Sequence, residues 1–201
     1  MTAAAQVTPA PPRAAPLPPT TRRRLAMQGV KGLDAPEAPA FAPWFRFAPA
    51  LCAAWTAVGT ALRSPALLWA LVPVAALGAA RTRHPFETLV YDRLLRPWLR
   101  TPALPPYGTP RRIACATAAV WLTGNGLAFH RGRPRLGTGL GLGLVAAALV
   151  PATTDFCIPS FVYGLVTGFP AGGCPWEPAS EPASSRTAAG VSRPAPPGAV
   201  I

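Results

Sequence analysis

The chain has 201 residues, half of them hydrophobic and 13% charged, with 28 prolines, 18 glycines and a net charge of +12. An average soluble domain carries about 25% charged residues, so an ordinary soluble enzyme fits poorly, whereas long apolar blocks joined by short arginine-rich connections fit well. All but one of the 19 cations are arginine, and many flank apolar blocks instead of forming a polar face. That placement suits membrane-flanking charge and argues against nucleic acid as a partner.

Residues 1–43 are rich in Ala, Pro and Thr and hold no aromatic side chain before Phe41. Such a stretch buries too little apolar surface to offset chain entropy, so it reads as a disordered tail, dispensable at least up to Met27. No apolar run follows Arg22-Arg23-Arg24 closely enough to make a signal peptide. A folded, all-α unit is expected over 44–170, and a second Pro/Ala/Ser-rich tail over 171–201.

Four apolar blocks occupy residues 47–62, 64–80, 113–130 and 136–154. They lie at the short end of the roughly 17–25 residues that a spanning helix needs. The first two cannot be one rod, because a helix through both would reach about 51 Å. Ser64 followed by Pro65 supplies a cap and a first helical residue, so the turn is expected there. Pro73 should kink the second block. The expected architecture is an integral membrane protein with four transmembrane helices, arranged as two hairpins.

The hairpins are joined by a basic stretch that begins at His84-Pro85-Phe86-Glu87. At helical spacing Phe86, Val90, Tyr91, Leu94, Leu95 and Trp98 share one side, and Arg93, Arg96 and Arg100 another. This pattern predicts a helix over about 85–99 lying in the membrane interface, with the arginines and Trp98 at headgroup level. In the last block, Gly137/Gly141 and Gly139/Gly143 form two small-xxx-small pairs that allow close helix packing in lipid. From Arg22 on, twelve cations lie on the side of the N-terminal segment and central connection, against four in the two tight turns. The positive-inside rule then puts both termini in the cytoplasm of a bacterial inner membrane, with the bilayer and a membrane protein or a second copy as partners.

The order of these features resembles DUF4395, a family of bacterial membrane proteins that share a domain of unknown function. His84-Pro85-Phe86 is similar to its His-Pro-aromatic signature, Pro110-Arg111-Arg112 to the start of its third helix, and Cys157 with Tyr163 to its final cysteine motif. The resemblance covers about residues 40–170 and implies two helical hairpins, with no established activity. Many members carry Cys-x-x-Cys at that last motif, whereas this chain has Ser160 in the second position.

Candidate chemistry is sparse. Cys52 and Cys115 lie inside apolar blocks, where a lone cysteine usually acts as a small hydrophobe. Cys157 and Cys174 are the candidates for thiol chemistry, as a pair or with a partner's thiol. The scattered cysteines and two histidines show no metal-ligand spacing, so no metal and no cofactor is expected. Asp155 is the one carboxylate at the edge of the apolar blocks, which makes it a candidate for a proton or solute pathway, with Arg111, Arg112 or His84 as partners. Glu87 and Asp92 are expected to pair with Arg83, Arg93 or Arg96. No nucleophile–base pair or phosphate loop is present. The expected role is therefore a small structural or interaction component of the membrane, with a Cys157 thiol-redox role and an Asp155 pathway as alternatives.

Overall fold

The computed structural model describes residues 15–99, 102–170 and 173. The described residues are all-helical, without strands. Helix α1 covers Pro19–Met27 and α2 covers Ala38–Phe41, continuing as a 3-10 turn through Ala42–Arg46. Two hairpins follow, α3 (Phe47–Ala61) with α4 (Pro65–Ala80) and α6 (Thr109–His130) with α7 (Pro134–Thr154). Between them lie a π-helix, Glu87–Leu95, and the short α5, Arg96–Leu99. The last helix, α8, covers Ile158–Thr167.

The turn between α3 and α4 is set as local chemistry dictates. Ser64 Oγ accepts the Leu67 N–H at 3.4 Å, and Pro65 stands in the first turn, where its missing donor costs nothing. Pro73 lies inside α4, which runs through it as one helix. The carbonyls freed at the end of α4 are met from afar: Arg112 Nε donates to Ala79 O at 2.7 Å and Tyr107 Oη to Gly78 O at 3.1 Å.

Contacts between helices close into a ring. α4 packs on α6, α6 on α7, α7 on α3 and α3 on α4. Gly137 and Gly141 both face inward. A Cβ at Gly141 would overlap the Thr60 side chain of α3, and one at Gly137 would stand 2.8 Å from the Phe129 ring. The second pair divides: Gly143 lies beside Trp121, while Gly139 faces open space. Indole N–H groups tie neighbouring helices, Trp121 to Leu140 O at 3.0 Å and Trp55 to Leu67 O at 2.9 Å.

Among the described residues, α7 is the one helix long and apolar enough to cross a membrane, and only 17% of its apolar window is buried within the protein. α4 and α8 are apolar but shorter. Four separate spans are thus not evident from helix length and composition alone.

Two expectations need correction. The N-terminal tail does not extend over 1–43. Leu25, Val30, Ala38 and Phe41 are all buried and share a core with Phe45, Tyr91, Leu104 and Tyr107, and Met27 is buried as well. The few apolar side chains of this proline-rich stretch suffice because they fill one site on an existing scaffold and need no core of their own. Residues 1–14 lie outside the described part, as do 171–172 and 174–201. The connecting helix is also not a uniform α-helix with one lipid face. It is π-wound, Tyr91 is fully buried in the core, and Leu94 and Trp98 are exposed, Trp98 at 90%. Widening to a π-turn re-aims the side chains, so residues that share an α-face separate into core and surface. Pro97 lies within α5 and does not end it. Arg93 and Arg96 are exposed, and Arg100 lies outside the described residues.

Candidate functional site

The ring of helices lines a half-open pocket of about 140 Å³ at the end where α3 and α6 begin and α4 and α7 finish. Its walls are mainly small and aliphatic, from Ala48 and Pro49 of α3, Leu71 and Ala75 of α4, Ala118 and Leu122 of α6, and Leu144 and Ala148 of α7. Cys52, Cys115 and Cys157, from α3, α6 and the start of α8, all line it. All three are free thiols. His84, Arg111 and Gln28 complete its polar side. No group of three His, Cys, Asp or Glu residues is disposed to hold a metal among the described residues.

His84 is placed by the turn that starts the π-helix. Its N–H donates to Glu87 Oε2 at 3.3 Å, a reciprocal cap at the three-residue spacing of a capping box. Its Nδ1 accepts the Phe86 N–H at 3.3 Å, which assigns the proton of the neutral ring to Nε2. Burial, with the charge of Arg111 adding to it, pushes the imidazole down to about 3, so it is neutral at physiological pH. Gly78 makes room for it: a Cβ there would stand 2.7 Å from the His84 ring and 3.1 Å from Cys115 Sγ. Ring and thiol therefore lie side by side over the same glycine.

Arg111 carries the positive charge at the cavity. Its Nη2 donates to Glu87 Oε1 at 2.5 Å and to Phe45 O at 3.3 Å. The guanidinium lies 4.9 Å from the Phe45 ring centroid and 5.0 Å from that of Tyr107, within cation–π range. Both Arg111 and Glu87 are buried, so the pair holds only because each compensates the other's lost hydration. Burial raises the Glu87 carboxyl, and Arg111 opposes that rise. Burial also raises the Tyr107 phenol. Glu87 thus pairs with Arg111, which sequence distance hid, while Asp92 pairs with Arg83 at 3.6 Å.

Asp155 lies beside this cavity, not in it. It ends α7 in the left-handed conformation, at φ 60°, which an aspartate tolerates better than most residues. Its expected partners are not the ones it meets. Arg112 is occupied at the end of α4, and Arg46 holds both carboxylate oxygens, Nε to Oδ1 at 2.7 Å and Nη2 to Oδ2 at 2.5 Å. The carboxylate in turn raises the Arg46 guanidinium. The N-terminal segment joins here: Gln28 Nε2 donates to Asp155 O at 2.7 Å and Arg24 Nη1 to Thr154 O at 2.6 Å.

Of the candidate residues, His84 and Cys157 reach the cavity, and Asp155 forms part of its rim bracing. Tyr163 is on α8, half-buried and away from the lining. Ser160 is fully buried, and its hydroxyl has no hydrogen-bond partner among the described residues. Cys174 lies outside the described residues, and so does any Cys157–Cys174 pair. Sequence reasoning missed Cys52, Cys115, Arg111 and Gln28 as cavity residues. The available signal was Glu87, three residues after His84, and an arginine opening an apolar helix, which a buried partner has to compensate.

Neither the curated proteins nor the solved structures contain a match to this chain. A family model does match, over residues 42–167, and on that match the chain belongs to DUF4395, a domain of unknown function.

Proposed function

We propose that the chain is a multi-pass integral membrane protein that acts as a thiol-redox component, exchanging electrons through the cysteines of its internal cavity. The four spans are 47–62, 64–80, 113–130 and 136–154, with both termini on the cytoplasmic side of a bacterial inner membrane. The observation that carries the redox reading is the convergence of Cys52, Cys115 and Cys157, far apart in sequence, on one half-open pocket. Serine at position 160 removes the vicinal dithiol, and among the described residues Cys52 and Cys115 are the thiols that share the pocket with Cys157, while Cys174 lies outside them. The membrane reading is supported by exposed apolar side chains on the outer faces of the ring, among them Val58, Leu62, Leu77, Val120, Leu142 and Leu149. Asp155, with both oxygens held by Arg46, offers less to a proton pathway than the thiols offer to electron exchange.

The test counts thiols. Membranes holding the full chain are treated with diamide, quenched in acid, unfolded in SDS and alkylated with a polyethylene-glycol maleimide. Two of the additions seen in the untreated protein are expected to disappear and to return with dithiothreitol. The Cys157→Ser variant should lose that response. Full alkylation of every cysteine after oxidation would overturn the reading.

A second reading, an interaction component, is favoured by α8. Its residues Ile158, Val162, Leu165 and Val166 are exposed at helical spacing, Val166 at 80%. A photo-crosslinker at Val166 that captures only lipid would remove it.

A further inference from the structure

The membrane and thiol readings leave open what exchanges electrons with the cavity, and its shape and polarity narrow the choice. A closed apolar cavity of about 150 Å³ holds one benzene-sized ring; this pocket, of about 140 Å³, is half-open, so a ring of that size can lodge in it with its substituents toward the opening, and its lining is chiefly alanine, leucine and proline. Arg111 is the one charged group in that lining. Arg111 is 95% buried and lines the cavity, and while its Nη2 serves Glu87 and the Phe45 carbonyl, its Nη1 has no hydrogen-bond partner among the described residues. A buried guanidinium N–H without an acceptor is costly, and such groups are ordinarily matched. The complement to this site is a flat apolar ring bearing a carbonyl oxygen. The cavity thiols add a requirement: the ring has to accept two electrons.

We propose that the cavity binds the head group of a lipid-soluble quinone, one carbonyl oxygen accepting from Arg111 Nη1 and the ring lying among Leu122, Leu144 and the cavity thiols. This inference rests on the redox reading above and names its electron acceptor. In the step, two cavity thiols lose two electrons and two protons and form one S–S bond. The two quinone oxygens take up both electrons and both protons, and the product is the quinol. Cys157 is one of the two sulfurs, with Cys115, which lies beside His84, as the other.

The experiment uses the full chain, reduced, in lipid nanodiscs, with decylubiquinone as the probe, because its fully substituted ring cannot add a thiol. Three quantities are read: the melting temperature, the quinone absorbance and the number of thiols. Saturable stabilisation is expected, with one quinone reduced for each two thiols lost. Ala118→Leu fills the cavity with apolar volume and leaves Arg111 in place, so it should melt normally without probe and bind about tenfold more weakly or worse. Arg111→Lys, which keeps a charge for Glu87 but lacks Nη1, should weaken binding in the same direction. Absence of stabilisation, or equal stabilisation of Ala118→Leu, overturns the proposal. Quinone binding with all thiols intact overturns the proposed step, and the reading on which it rests falls with it only where diamide also leaves every thiol intact. Reversible oxidation by diamide without quinone binding overturns only the quinone and leaves that reading standing.

Discussion

His84 is a residue whose chemistry departs far from its ordinary behaviour. Its imidazole is held near a pKa of about 3 by burial and by the charge of Arg111, whereas the unfolded chain titrates near 6.5. A base with a depressed folded pKa stabilises the fold fully above the unfolded value and loses that contribution as pH falls. Stability should therefore drop on acidification below about 6.5, by up to about 1.4 kcal/mol per pH unit down to about 3 from this group alone. His84→Asn keeps an acceptor near the Nδ1 position and does not titrate, so its melting temperature should fall less between pH 6.5 and 4.5 than that of the parent. Parallel acid limbs in thermal unfolding would show that other groups carry the pH dependence. The residue scale also explains Arg111. Its charge sits among Glu87, a backbone carbonyl and two aromatic rings, and Arg111→Ala would leave Glu87 buried without its countercharge, a loss of about 3–5 kcal/mol.

At the scale of elements, the N-terminal segment is the part that couples fold to site. α1 and the residues after it are sealed by Leu25 and Met27, tied to the end of α7 through Arg24 and Gln28, and abut Gly108 through Gly29. Gly29 has φ +75°, and a Cβ there would stand 2.8 Å from Gly108 Cα, so this crossing depends on glycine. Because Gln28 lines the cavity, the segment forms its cytoplasmic wall in the proposed orientation. Deleting residues 1–30 is expected to raise the rate at which a membrane-impermeant maleimide labels Cys157 in opened membranes by about tenfold or more, in line with the loss of local protection. An unchanged rate would mean that the bundle closes the cavity without this segment. The family match begins at residue 42, so the wall is built from residues outside the matched region.

For the whole molecule, the distribution of exposed apolar side chains is the dominant feature. They run along the outer faces of α3, α4, α6 and α7, while Arg63 and the run Arg131, Arg133 and Arg135 stand exposed at one end. On the proposed reading, the chain stays in the membrane pellet through alkaline carbonate and is released only by detergent. Release by carbonate would make these faces a protein interface instead. Trp98, exposed at 90% on α5, belongs to the same scale, because its indole has its natural place at the bilayer surface.

The sequence by itself determined the helical class, the two hairpins and the turn at Ser64-Pro65. Apolar runs bounded by arginines, caps and prolines act over a few residues, and such signals are readable in one dimension. The Gly137/Gly141 face was readable for the same reason, since helical spacing alone puts both on one side. Only the tertiary structure decided that Cys52, Cys115 and Cys157 share a cavity, that Glu87 compensates Arg111, that Asp155 belongs to Arg46, and that residues 19–41 are packed. Each of these joins side chains separated by 24 to more than 100 residues, and nothing in local pattern encodes which distant partner closes a buried charge. The π-winding of Glu87–Leu95 is of the same kind. Its local sequence reads as an ordinary amphipathic helix, and the demand that Tyr91 reach the core sets the wider turn.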